Sequence, residues 1–183
     1  MSNSWTRTPC PICGKLMNPR AASCRDCRSG PKKVLNYALI TPEWLTCFAG
    51  FFMGEGTATL VCNKEPSIQA RVSIALRSDD SAVLEDIQAH FGGGLYYADR
   101  LNKKSSKSSP QSSWIRSGLE DVDQICAWLQ QYCQLPSKKL DDVATVREFI
   151  AWRLTQPYRG VDWIAAKAFR VKLLSSRKFS DNG

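Results

Sequence analysis

Apolar and polar positions follow two periods along this chain, and the switches between them divide it into elements. From Trp44 to Met53 the apolar residues crowd into the run WLTCFAGFFM, entered by Thr41-Pro42-Glu43. A threonine N-cap, proline at the first helical position and an acid in the first turn predict a helix start. Gly54 or Gly56 stands where the helix can end, just past Met53. From Thr57 to Cys62 the period drops to two, with Ala58, Leu60 and Cys62 on one side. The same alternation returns over Gln69–Arg77, where Val72, Ile74 and Leu76 oppose Arg71, Ser73, Ala75 and Arg77. These are two antiparallel strands, each with one polar face, joined by a turn over Asn63–Ser67. Helical spacing resumes behind Asp79-Asp80-Ser81 with Val83, Leu84, Ile87 and Phe91, and stops at Gly92-Gly93-Gly94. Short strands are predicted at Leu95–Asp99 and Trp114–Ser117, on either side of a polar loop, Asn102–Ser113. Helices are predicted over about 119–132, 139–154 and 159–178.

The order helix, two strands, helix, two strands, helix predicts an α+β domain over 34–157, with its helices on one face of an antiparallel sheet. The other face carries Thr, Gln, Arg, Ser and Tyr and is left open. A basic helix over 158–183 follows the domain.

Residues 1–33 are of another kind, rich in Cys, Pro, Gly and Arg and without periodicity. Cys10-Pro-Ile-Cys13 and Cys24-Arg-Asp-Cys27 pair two CxxC knuckles ten residues apart. Four thiolates suit tetrahedral Zn²⁺ with no open position, so the expectation is a small zinc-ribbon-like module whose metal is structural and supplies the folding energy. Cys47, Cys62, Cys126 and Cys133 fall inside apolar patterns and are expected as small core residues.

The net charge of +8 favours a polyanionic partner, and residues 1–40 hold seven Lys and Arg against the single acid Asp26. The apolar run ending at Met53 is far short of the roughly 20 residues that span a bilayer. No apolar signal segment opens the chain, so the expectation is an intracellular, free-standing protein without a membrane partner. His90, the one histidine, lies within an amphipathic helix and is expected to be structural.

The nine residues Phe48-Ala49-Gly50-Phe51-Phe52-Met53-Gly54-Glu55-Gly56 align without gaps on the LAGLIDADG motif, and the chain resembles the LAGLIDADG homing endonucleases from about Thr41 to Leu154. Behind the motif come the two strands Thr57–Arg77, Asp79-Asp80, Leu84-Glu85, the glycine turn after Phe91, the aromatic strand at Trp114 and the lysine pair Lys138-Lys139, in the family's order. Two positions depart from the pattern. Met53 replaces the sixth-position Asp, and Glu55 replaces the catalytic Asp while keeping a carboxylate.

The resemblance implies a site-specific double-strand DNA endonuclease of a mobile element such as an intron. Glu55, with backbone oxygen at Gly54, is then the Mg²⁺ ligand, and Lys138 or Lys139 stands near the cut phosphate. Small residues four apart let two helices approach closely, so Ala49, Gly50, Met53 and Gly54 are the expected contact between motif helices. With a single motif in the chain, the second comes from a homodimer, which reads a pseudo-palindromic site. The open sheet face then reads double-stranded DNA in the major groove through Arg71, Gln69, Ser73, Arg77, Thr59, Asn63, Tyr97, Asp99 and Arg116, with loop lysines 103, 104 and 107 on phosphates. The alternative is a non-cleaving nucleic-acid-binding protein on the same fold, an intron RNA maturase or a transcriptional regulator.

Overall fold

The structure, a computed structural model, describes residues 8–9, 16–17, 35–64, 67–98, 111–133, 135–157 and 161–177. The chain divides into two compact units, Met1–Val34 and Leu35–Gly183. In the first, strands β1 (Thr8–Pro9) and β2 (Leu16–Met17) pair antiparallel, Thr8 opposite Met17 and Pro9 opposite Leu16. Cys10, Cys13, Cys24 and Cys27, and with them the expected zinc ligands, lie outside the described residues.

The second unit begins with helix α1 (Pro42–Glu55). The Thr41 hydroxyl accepts from the Trp44 N–H at 3.2 Å, and Leu45, Phe48, Ala49 and Phe52 form the buried stripe at helical spacing. The helix runs to Glu55, two residues past the expected end at Met53. Gly56 follows in extended conformation (φ −81°, ψ 162°), so no left-handed glycine ends the helix. The glycine is needed for space instead: a Cβ there would sit 2.2 Å from Cδ2 of the fully buried Phe52 ring. Helix therefore passes into strand β3 (Gly56–Lys64) with no loop between.

Strand β4 (Ser67–Arg77), helix α2 (Ser81–Phe91), strands β5 (Gly94–Ala98) and β6 (Gln111–Ser117), and helices α3 (Leu119–Tyr132), α4 (Lys138–Thr155) and α5 (Trp163–Arg177) complete the unit. The four strands form one antiparallel sheet in the order β3-β4-β6-β5. Ala58, Leu60, Ala70, Val72, Ile74 and Trp114 lie on its buried face. Trp114 is the anchor, fully buried, with its indole N–H donating to the Gly92 carbonyl at 2.7 Å. Gly93 makes this approach possible: its φ is +89°, and a Cβ would stand 2.6 Å from the Ile115 carbonyl oxygen.

Two element starts differ from the sequence reading by three or four residues, and one cysteine differs in its burial. Strand β6 starts at Gln111 rather than Trp114, because Ser112 turns inward and donates to the Ser78 hydroxyl at 3.1 Å. Helix α5 starts at Trp163 rather than Arg159, because the Asp162 carboxylate caps the N–H groups of Ile164 and Ala165, each at 3.0 Å. Cys47 is exposed on α1 rather than in the core, while Cys126 is buried and Cys62 and Cys133 are half-buried. His90 is buried and stacks on Trp44 at 3.9 Å between ring centroids. Among the described residues no helix is long and apolar enough to cross a membrane.

Candidate functional site

Two local electrostatic preferences are broken at one place. Glu55 puts a negative charge at the C-terminal end of α1, where exposed carbonyls already make the helix end negative. Lys138 and Lys139 put positive charge on the first turn of α4, where orphan N–H groups make it positive. The fold brings these misfits together. The Lys139 ammonium donates to the Gly54 carbonyl at 2.6 Å, satisfying one of the free carbonyls that end α1.

Ser137 aligns the two helices. Its hydroxyl accepts from the Leu140 N–H at 3.4 Å as N-cap of α4, and it donates to the Met53 sulfur at 3.3 Å. Met53, where the motif usually has an acid, is thus a half-buried docking contact for α4. Partial burial pushes the Lys139 pKa below the ordinary lysine range, and the neighbouring Glu55 carboxylate pulls part of the way back. Glu55 is exposed at the surface beside it.

A cleft of about 330 Å³ opens next to this contact, between the first residues of β3 and the start of α4. Lys138 and Lys139 line one side and Arg177, from the far end of α5, lines another. The Arg177 guanidinium donates to the carboxylate of largely buried Asp142 at 2.9 Å and to the Ala58 carbonyl at 2.6 Å. β3 is an edge strand, so Arg177 caps one of its carbonyls three residues past Glu55. Nothing in the local sequence marks Arg177; it lies 119 residues from Ala58 and reaches it only because Phe169 packs on Phe149 and Trp152.

The sheet face away from the helices has five cross-strand rows. Val61 stands beside Gln69; Thr59, Arg71 and Ser117 follow; then Thr57, Ser73, Ile115 and Gly94; then Ala75, Ser113 and Tyr96; and last Arg77, Gln111 and Ala98. Of the expected reading residues, Arg71, Gln69, Ser73, Arg77 and Thr59 share this face. The Arg71 Nε is buried with no acceptor among the described residues. Arg77 is held by the Asp79 carboxylate through two hydrogen bonds, at 3.1 and 2.7 Å.

Two assignments are corrected. Arg116 points to the helix side, nearly buried, in an ion pair with Asp121, because Trp114 and Ile115 set the phase of β6. Tyr97 also lies on the helix side and donates to Glu85 at 3.2 Å, so Tyr96 takes the open face instead. The phase of so short a strand has no sequence signal beyond its glycines. Asn63 falls at the bulge between Cys62 and Lys64, and its side chain lies outside the described residues, as do Asp99 and lysines 103, 104 and 107.

On α1 the surface left open carries Thr46, Cys47, Gly50 and Gly54. A Cβ added at Gly50 or Gly54 would meet nothing within 4 Å. Ala49, expected on this surface, is instead 1% exposed and packed into the chain's own core, one helical position away from the open stripe.

An antiparallel four-stranded sheet backed by helices, with the motif helix leading into its edge strand, is the fold that the motif implies. Residues 48–149 match the sequence model described as LAGLIDADG endonuclease, and the chain belongs to that family. No curated protein matches it. Among solved structures it is similar to the homing endonuclease I-CvuI in complex with its target, at 15% identity over 78% of this chain and 87% of that one, with a TM-score of 0.57. It is also similar to I-SmaMI bound to cleaved DNA, at 16% identity over 79% of this chain and 47% of that one (TM-score 0.58). The archaeal intron-encoded I-Vdi141I complexed with DNA matches at 13% identity over 74% of this chain and 85% of that one (TM-score 0.57). At these identities the likeness is one of fold.

Proposed function

We propose that this protein is a site-specific endonuclease that hydrolyses both strands of DNA as a homodimer, with Glu55 as the metal-binding carboxylate and Lys139 as the cation at the cut phosphate. The observation that carries this reading is the Lys139–Gly54 contact, which places an ammonium and an exposed carboxylate side by side at the end of the motif helix. A protein that only binds nucleic acid has no use for a carboxylate at a surface that must accept phosphates, since the two repel.

The donors suit a hard divalent cation such as Mg²⁺: the Glu55 carboxylate and the remaining lone pair of the Gly54 carbonyl are both oxygen. These groups offer at most three oxygens against the six such an ion takes, which supports completion by a second chain's Glu55, by phosphate oxygens and by water. When bound, the ion polarises the phosphate and activates water. The I-CvuI complexes in the presence of calcium or magnesium accord with this choice of metal. Lys139, partly shielded from water, offers positive charge where negative charge builds on the phosphate, and Lys138 extends the same surface.

Dimerisation through α1 is supported by the empty space over Gly50 and Gly54. It also accords with lengths, since one chain spans most of I-CvuI but less than half of I-SmaMI. Arg71, Gln69, Ser73, Thr59 and Arg77 are proposed to read bases in the major groove. Cys10, Cys13, Cys24 and Cys27, as four soft thiolates, are proposed to hold structural Zn²⁺. The host element is proposed to be an intron or similar mobile element, and the compartment intracellular.

The test is cleavage of randomised duplex libraries and host genomic DNA, with the ends sequenced. Mg²⁺-dependent double-strand breaks at one pseudo-palindromic site, lost in Glu55→Gln, are the expected result. Salt-sensitive binding without cuts, unaltered by Glu55→Gln, would leave a maturase or regulator as the function instead.

A further inference from the structure

The open sheet face is chemically divided. Its β3–β4 side is mostly polar, carrying Thr57, Thr59, Gln69, Arg71 and Ser73, with Val61 apolar at its far end. Toward β5 it changes: Ala75, Ile115 and Tyr96 expose carbon in adjacent rows, broken only by Ser113 and Gly94. Ile115 faces out because Trp114 and Arg116 on either side of it are buried. Tyr96 is 56% exposed, and its ring lies back over Gly94: a Cβ on Gly94 would stand 2.8 Å from Tyr96 Cε2. The glycine is thus the floor that lets a large ring lie on the sheet beside Ile115 instead of standing away from it.

Three side chains make a patch far below the roughly 800 Å² per partner of a stable protein interface. The patch is continuous with the polar rows and has Arg71 four residues before Ala75 and Arg77 two residues after it on the same strand face. Its surroundings are those of a polyanion's groove. The one apolar group that a DNA major groove presents on its standard bases is the thymine C5-methyl.

Resting on the reading above that this face binds duplex DNA, we infer that Tyr96, Ile115 and Ala75 form a thymine-reading subsite that recognises the 5-methyl group by burying it. Arg71 and Gln69 then read hydrogen-bonding edges on the polar side, and each half of the target divides into a hydrogen-bonded part and a methyl-read part. The subsite detects the methyl rather than the base pair, so it accepts 5-methylcytosine in place of thymine better than it accepts unmethylated cytosine or uracil.

The experiment uses the full chain and duplexes recovered from a randomised library. Each thymine in a recovered duplex is replaced singly by deoxyuridine, which removes one methyl and leaves every hydrogen bond. Affinity is measured in Ca²⁺ for the native protein and for Ile115→Ser and Tyr96→Ser. The expected result is a thymine at the same distance from the centre of both half-sites whose replacement weakens binding about fourfold, the equivalent of about 0.8 kcal/mol for one buried CH₂-sized group. That penalty should shrink to near unity in the variants, while uracil elsewhere costs all three proteins the same. Specific binding with uracil neutral at every position, or with a penalty that the variants keep, would overturn the inference and leave the DNA-reading face intact. Absence of any sequence-specific duplex binding would overturn both. The native-protein scan stands by itself if a variant fails to fold.

Discussion

The Lys139 ammonium lies 2.6 Å from the Gly54 carbonyl oxygen, joining the first turn of α4 to the last turn of α1 across 85 residues of sequence. An acid at the C-terminal end of one helix and a base at the N-terminal end of another are each unfavourable alone; together they offset each other. Local rules broken at neighbouring positions are expected where function competes with local stability, in keeping with the proposal that this is the catalytic site.

Replacing Glu55 by Gln should therefore remove cleavage and leave DNA binding intact or slightly tighter, since a negative charge facing phosphate is lost. Gel-shift and cleavage assays on one duplex separate the two effects. Loss of binding along with cutting would show that Glu55 supports the fold instead.

The partial burial of Lys139 sets a pH dependence. Below its lowered folded-state pKa the ammonium is charged in both folded and unfolded chains, and the burial penalty is present in full. As pH rises through the folded value toward the ordinary lysine range the penalty is relieved, so the fold gains stability while chemistry that needs the cation is lost. A heteronuclear NMR titration of the Lys139 side chain should show a midpoint below that of exposed lysines, and a lower one still in Glu55→Gln, where the supporting charge is gone. An unchanged midpoint in that variant would remove Glu55 as a partner of Lys139.

Two of the motif glycines should part company on substitution. Gly56→Ala drives a methyl into the Phe52 ring and should cost about 1–3 kcal/mol in a denaturant melt. Gly50→Ala meets empty space in a helix interior and should raise the stability of the single chain by about 0.5–1 kcal/mol. The same substitution should weaken self-association, read by analytical ultracentrifugation. Unaltered association would place the partner's contact elsewhere than on α1.

Cysteine alkylation gives a second reading of that surface. Burial, with the Asp123 charge adding to it, pushes the Cys126 thiol up to about 12, so this residue should stay unmodified in the native protein. Cys47 is exposed on α1 and should react. With DNA bound, peptide mapping should find Cys47 protected, as contact between two motif helices would require.

Removing Arg177 should loosen the edge of β3 beside Glu55. Arg177→Ala loses the bonds to Asp142 and the Ala58 carbonyl, worth roughly 1–2 kcal/mol once its partial exposure is discounted. Hydrogen exchange should rise over residues 56–60 more than over β6; uniform loosening would make α5 a general buttress.

The order of elements, the buried stripe of α1 and the motif that ends in Glu55 were legible in the sequence, because periodicity, caps and turns are local properties of the chain. So were the open-face positions on β4, since eleven residues of alternation leave one phase possible. On β5, with five residues, the phase fell the other way, and Tyr96 rather than Tyr97 came to the open face. Arg116 went inward because its neighbour Trp114 had to be buried. Ala49 went into the chain's own core because the helix presents Gly50 and Gly54, one position round, to the outside.

The sequence by itself determined which side chains are available for the proposed chemistry: one carboxylate closing an apolar helix, two lysines opening another, and arginine and glutamine on a long alternating strand. Only the tertiary structure decided that Lys139 docks on Gly54, that Met53 packs against Ser137, and that Arg177 reaches the strand behind Glu55. These contacts join segments 84 to 119 residues apart. Their geometry follows from how helices settle on a shared sheet, a global packing result that no local pattern encodes.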